Sequence, residues 1–150
     1  MNADKATYLD TKTVQLALTC DAATLAAVEA KDNRAGSSYI PNDSMEFGLG
    51  LINGNEKLGS MNMRLVAPIA DGATVRTIES YDSGSTWGLA RDLTTDNILT
   101  VTDTATVAPI PFQTWTSDLY ISSRIAPTNS LTLTNEVAID GSVTMTVRYL

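Results

Sequence analysis

The side chains of this sequence best equipped for chemistry are carboxylates, and most of them sit at turns. Asp21, Asp32, Asp43, Asp71, Asp103 and Asp140 fall in breaks between apolar runs, where an aspartate is explained by hydrogen bonds to its own local backbone. There is no histidine and a single cysteine, Cys20, in the whole chain. That removes Ser-His-Asp and Cys-His nucleophile pairs together with the commonest zinc ligand, so a transition-metal site would need carboxylates alone. No spacing of acids matches a calcium loop or a glycosidase pair. No catalytic residue, metal or cofactor is expected, and the chain is read as a non-enzyme.

Two features are more specific. Ser80-Tyr81-Asp82-Ser83-Gly84-Ser85-Thr86-Trp87 resembles the Ser-x-Asp-x-Gly-x-Thr-Trp hairpin, the Asp-box, that recurs in sialidases. Physically it is a folding device. Ser80 and Asp82 can tie the turn backbone, Gly84 can supply a positive φ, and Trp87 can pack beneath. The other feature is Cys20, read either as a buried free thiol or as half of a disulfide whose partner lies upstream of Met1. Trp115, with Trp87, is a candidate sugar platform or else a core side chain.

The elements that would position these residues read as strands. Val143, Met145, Val147 and Tyr149 alternate with Ser142, Thr144, Thr146 and Arg148 after the Asp140-Gly141 turn. This is the pattern of a half-buried strand, and as the final stretch it either lies inside a sheet or offers an edge for something else to fill. Thr13–Cys20 alternates with Val14, Leu16, Leu18 and Cys20 on one face, and Asp21–Thr24 is read as its break. Further strands are expected at Thr24–Asp32, Phe47–Ile52, Met61–Val66 (with Met61, Met63 and Leu65 inward), Thr74–Tyr81 and Ile98–Thr102. Others are expected at Thr106–Ile110, Gln113–Ile125 and Leu131–Thr134, with residues 33–46 a loop. Asn53-Gly54 signals a tight hairpin, and Pro68 is read as ending its strand.

Hydrophobic residues at 43% and charged residues at 18% describe a globular chain whose Thr and Val content favours strands. A net charge of -7 repels a polyanion, so nucleic acid is a poor partner. No apolar run approaches the ~20 residues of a membrane span. No signal peptide is visible, and Met1-Asn2-Ala3-Asp4 is read as the cut end of a chain whose leader has been removed. Many short strands without a helix predict an all-β, antiparallel immunoglobulin-like sandwich with Greek-key connections, as one domain over residues 1–150.

The segments Thr19–Ala22, Ala30–Ser37, Phe47–Gly50 and Asn135–Ser142, in that order, resemble a family of secreted proteobacterial proteins related to chaperone–usher fimbrial subunits. The resemblance runs from about Lys12 to Leu150, and Tyr149 stands where pilins carry a penultimate tyrosine. It implies a pilin-like sandwich lacking one strand, with an apolar groove beside the strand of Val143, Met145, Val147 and Tyr149. A periplasmic chaperone fills that groove first, and the extension of a neighbouring fimbrial subunit fills it next. It also implies an upstream cysteine as partner of Cys20. Met1–Thr11 lacks the alternation of a donor strand, so the chain is expected to be truncated at its N-terminus. The expected function is a structural or adaptor subunit of a fimbria, reached through the periplasm and displayed at the cell surface or secreted. The alternative is a glycan-binding adhesin module using Trp87 or Trp115 and the loop at 33–46.

Overall fold

The computed structural model describes all of residues 1–150. The first strands are β1 (Thr7–Tyr8), β2 (Lys12–Thr24), β3 (Ala26–Asp32), β4 (Phe47–Gly48), β5 (Leu51–Ile52), β6 (Glu56–Lys57) and β7 (Gly59–Ala70). Then follow β8 (Ala73–Thr74), β9 (Arg76–Ser80), β10 (Gly88–Leu89), β11 (Asp92–Leu93), β12 (Ile98–Thr102), β13 (Phe112–Ile125) and β14 (Val143–Tyr149). The only helical piece is a 3₁₀ turn at Thr128–Ser130, and no helix is long and apolar enough to cross a membrane. The chain is all-β.

One sheet runs β1-β13-β7-β11, with β2 also on β13 and β4 and β8 also on β7. The other runs β10-β9-β12-β3-β14, and β5 and β6 form a separate hairpin. All strand pairs are antiparallel. Leu65, Leu93, Phe112 and Trp115 of the first sheet and Ala26, Val28, Leu99 and Val101 of the second share one buried cluster. Two antiparallel sheets thus close on a common core in the manner of a β-sandwich.

Alternation places Met61, Met63 and Leu65 inward, as their spacing predicts. Asn53 and Gly54 both take positive φ (51° and 82°), the conformation that suits a tight hairpin. Elsewhere the strands depart from the expected bounds, and each departure has a local cause. β2 runs through Asp21–Thr24 instead of breaking there, because β13 shifts register between Phe112 and Thr114 and keeps pairing with it. β7 runs through Pro68 because Ala67 and Pro68 form a bulge. Val66 and Ile69 pair with Asp118 and Thr116, and Ala67 takes φ 50°.

Phe47–Ile52 is not one strand. Gly50 turns at φ 90° and gives its N–H to Ser37 Oγ at 3.1 Å. Thr106–Ile110 is not a strand either. Arg76 takes the carbonyls of Asp103 and Thr106 (2.9 and 2.6 Å), while the Asp103 carboxylate accepts the N–H groups of Ala105 and Thr106. At Leu131–Thr134, side chains again replace the ladder. Glu56 accepts the Thr132 N–H at 2.6 Å, and Asn53 donates to the Thr132 carbonyl at 2.9 Å.

At the start of β7, beside the end of β13, only glycine fits. A Cβ on Gly59 would lie 2.2 Å from the Arg124 carbonyl oxygen and 3.0 Å from Leu49 Cδ1. Gly59→Ala is expected to cost about 1–3 kcal/mol through forced backbone displacement, read as a lower urea midpoint at unchanged slope.

Candidate partner-binding edge

β14 hydrogen-bonds to β3 and to no other strand, so it is an edge. Its register sets Met145 opposite Ala30, Val147 opposite Val28 and Tyr149 opposite Ala26. Directly opposed residues of an antiparallel pair project to the same face. Ala26, Val28 and Ala30 are buried in the core at 0%, 1% and 7% exposure, so Val143, Met145, Val147 and Tyr149 face inward as well. Val143 and Met145 are half-buried against the core. Val147 is nevertheless 43% exposed and Tyr149 74% exposed. Inward-facing side chains open to solvent mean that nothing in residues 1–150 covers this end of the sheet.

The edge of the other sheet repeats the pattern. β2 pairs only with β13, with Leu18 opposite Trp115 and Val14 opposite Leu119. Trp115 and Leu119 are buried, and Leu18 is buried with them, yet Val14 is 51% exposed. Leu16 and Cys20 are half-buried on the same face, and the Cys20 thiol is free. The two edges belong to one side of the sandwich. Leu25 alone crosses from β2 to β3, and its carbonyl accepts the N–H of Leu150 at the end of β14 (3.0 Å). Between β2 and β14 lies a seam with apolar walls and unpaired backbone on both sides.

The Asp-box hairpin folds as its residue types predict. Ser80 Oγ donates to Asp82 Oδ1 (2.7 Å) and accepts the Gly84 N–H (2.8 Å). Asp82 also accepts the Thr86 N–H (2.8 Å) and the Thr86 hydroxyl (2.5 Å). Gly84 takes φ 97°, and the half-buried Trp87 donates its indole N–H to the Gly84 carbonyl at 3.1 Å. This is turn construction, with every Asp82 contact made inside the hairpin. The Thr86 and Ser80 hydroxyls, then the Thr86 N–H, hold the Asp82 carboxyl down from 3.8 to about 2. A depressed carboxyl supports the hairpin fully above its ordinary value and loses that support as pH falls through about 2. Amide resonances of Ser80–Thr86 are expected to shift together with a midpoint near 2 rather than near 3.8 in an NMR titration.

Trp115 is not a glycan contact. It is fully buried, edge-on to Phe112 at 5.7 Å, with its indole N–H on Ser117 Oγ at 2.8 Å. An indole in the core with its donor satisfied has no face for a sugar.

A family model described as "protein of unknown function" (DUF1120) matches residues 1–46, under a third of the chain. Those residues carry β2, one wall of the seam, and β3, the strand on which β14 is laid. No curated protein and no solved structure matches the chain.

The sequence marks Val143, Met145, Val147 and Tyr149 as an interaction strand, and the structure brings them to an edge. Val14, Leu16 and Leu18 form the second wall. Their alternation is legible, but their place in the seam depends on the crossing at Leu25. Of the Asp-box residues, Gly84 comes near the end of β14, where a Cβ on it would lie 3.9 Å from Leu150 Cδ2.

Proposed function

We propose that this chain is a structural or adaptor subunit of a chaperone–usher type fimbria, built on an immunoglobulin-like sandwich and assembled by strand addition beside β14. One observation carries the reading. Val147 and Tyr149 are 43% and 74% exposed although their register partners Val28 and Ala26 are 1% and 0% exposed on the same face. A strand laid along β14 would supply both the missing ladder and the missing apolar cover, which is the logic of strand addition. Its source is an extended apolar segment outside residues 1–150, from a periplasmic chaperone first and a neighbouring subunit afterwards. The reading places the chain in the periplasm and then at the cell surface, where its task is mechanical rather than catalytic.

The test is co-expression with the periplasmic chaperone encoded beside its gene, followed by sizing. A one-to-one complex, with the chain alone folded when dilute but self-associating as its concentration rises, is the expected result. A soluble monomer that melts cooperatively and ignores the chaperone would overturn the reading.

A further inference from the structure

β14 is open along one side, and its pairing on the other side fixes which backbone groups stand there. Asn33 donates its N–H to the Ser142 carbonyl (2.9 Å) and Leu150 donates to the Leu25 carbonyl (3.0 Å), both in continuation of the β3–β14 register. In an antiparallel pair, hydrogen-bonded positions alternate with non-bonded ones. The even-numbered residues from Ser142 to Leu150 therefore direct their backbone groups to β3. The N–H and C=O groups of Val143, Met145, Val147 and Tyr149 point to the open edge, where β14 has no second neighbour. Nothing blunts that edge. The pairing with β3 runs from Val143 to Tyr149 without a register shift or a proline, and the one charged residue, Arg148, is on the outer face beside Glu29 (3.9 Å).

The strand is complementary to itself. A second β14 laid antiparallel also presents its odd-numbered residues, so bonded positions must pair odd with odd, and a two-fold axis can pass only through a residue. An axis through Thr146 pairs the whole strand, whereas an axis through any other residue leaves an end unpaired. Val143 then faces Tyr149 of the second copy and Met145 faces its Val147, while Thr144 faces Arg148 and Thr146 faces Thr146. Tyr149 and Val147, 74% and 43% exposed on the inward face, fall beside the half-buried Val143 and Met145 of the other chain. No like charges are opposed, since the two Arg148 side chains lie at opposite ends of the junction.

We infer that, without a donated strand, this chain forms a two-fold dimer in which β14 pairs antiparallel with β14 of a second copy, centred on Thr146. Each copy contributes the same edge, so association by this route closes at two. The dimer uses the open edge on which the strand-addition reading rests, and a chaperone therefore competes with the second copy for β14.

The test is disulfide mapping of the full chain, with Cys20→Ser in every variant so that the introduced thiols are the only ones. Thr146 and its copy occupy a non-bonded pair, about 4.5 Å apart at Cα and within reach of a disulfide. Under mild oxidation Thr146→Cys is expected to form covalent dimer about tenfold faster, or more, than Thr144→Cys or Arg148→Cys alone. An equal mixture of Thr144→Cys and Arg148→Cys chains is expected to cross-link comparably to Thr146→Cys, because the two-fold sets those positions opposite each other. Sedimentation of the uncross-linked chain is expected to show a monomer–dimer equilibrium that Val147→Asp weakens about tenfold or more. Equal rates for every single-cysteine variant, or growth past the dimer without a plateau, would overturn the inference. Added chaperone separates the two readings of the edge. Capture by the chaperone without the Thr146 cross-link removes the dimer and keeps strand addition, and the cross-link in a chain that ignores the chaperone does the reverse.

Discussion

Trp115→Ala is expected to lower the unfolding free energy by about 3–5 kcal/mol. The ring is fully buried and packed edge-on against Phe112 with an interplanar angle of 77°. Its register partners Leu18 on β2 and Ala70 on β7 are buried on either side of it, so the space it leaves has no solvent to fill it. Truncation adds a second cost, since the Ser117 hydroxyl, 2% exposed, loses its indole donor. Urea unfolding with the slope held in view measures the change. Trp115→Phe keeps most of the volume and loses only the donor, so it is expected to cost about 1–2 kcal/mol and remain measurable if the alanine variant does not fold. A loss under about 1 kcal/mol for Trp115→Ala would mean that the core does not close on this ring.

Val147→Asp is expected to divide stability from assembly. The side chain is already 43% exposed in the isolated chain, so folding should change by no more than about 1 kcal/mol. A strand added beside β14 would bury it, and a Val burial is worth about 1.5–3 kcal/mol. Losing that term, and burying a charge instead, should weaken capture of the chaperone by about ten- to hundredfold or more. Thr144→Asp is the matched control. Thr144 sits on the outer face of the same strand, opposite Lys31 and within 2.9 Å of Asn33 Nδ2, so a carboxylate is tolerated there and affinity should hold. Equal losses from both variants would show that the inward face of β14 is not what the partner reads.

The sequence makes legible what is local. Met61, Met63 and Leu65 announce an inward face, Asn53-Gly54 announces its hairpin, and the Asp-box residues specify their own turn because all its bonds close within a few positions. The alternation from Val143 to Tyr149 likewise names a strand with an apolar face. What it cannot show is which strand lies alongside. The exposure of Val147 has meaning only once Val28 is known to be its partner, and that pairing is set across most of the chain's length. The strands expected at Thr106–Ile110 and Leu131–Thr134 fail for a related reason. Their apolar alternation is sound, but Arg76, Glu56 and Asn53, distant in sequence, take the backbone groups a ladder would need. Pro68 misleads because a bulge absorbs it.

The pairing of β3 with β14, and of β1 and β2 with β13, also sets the order in which the fold can form. Strands made early in synthesis have their hydrogen-bonding neighbours near the other end of the sequence. Such non-local topology places folding in the millisecond-to-second range rather than the microseconds of helical bundles. Until β14 arrives, β3 carries Ala26, Val28 and Ala30 beside an empty ladder, and the growing chain holds an adhesive intermediate for that whole interval. Residence time in that state, more than final stability, would then govern yield. Conditions that slow the chain's release should increase aggregation even for variants that melt at the same temperature.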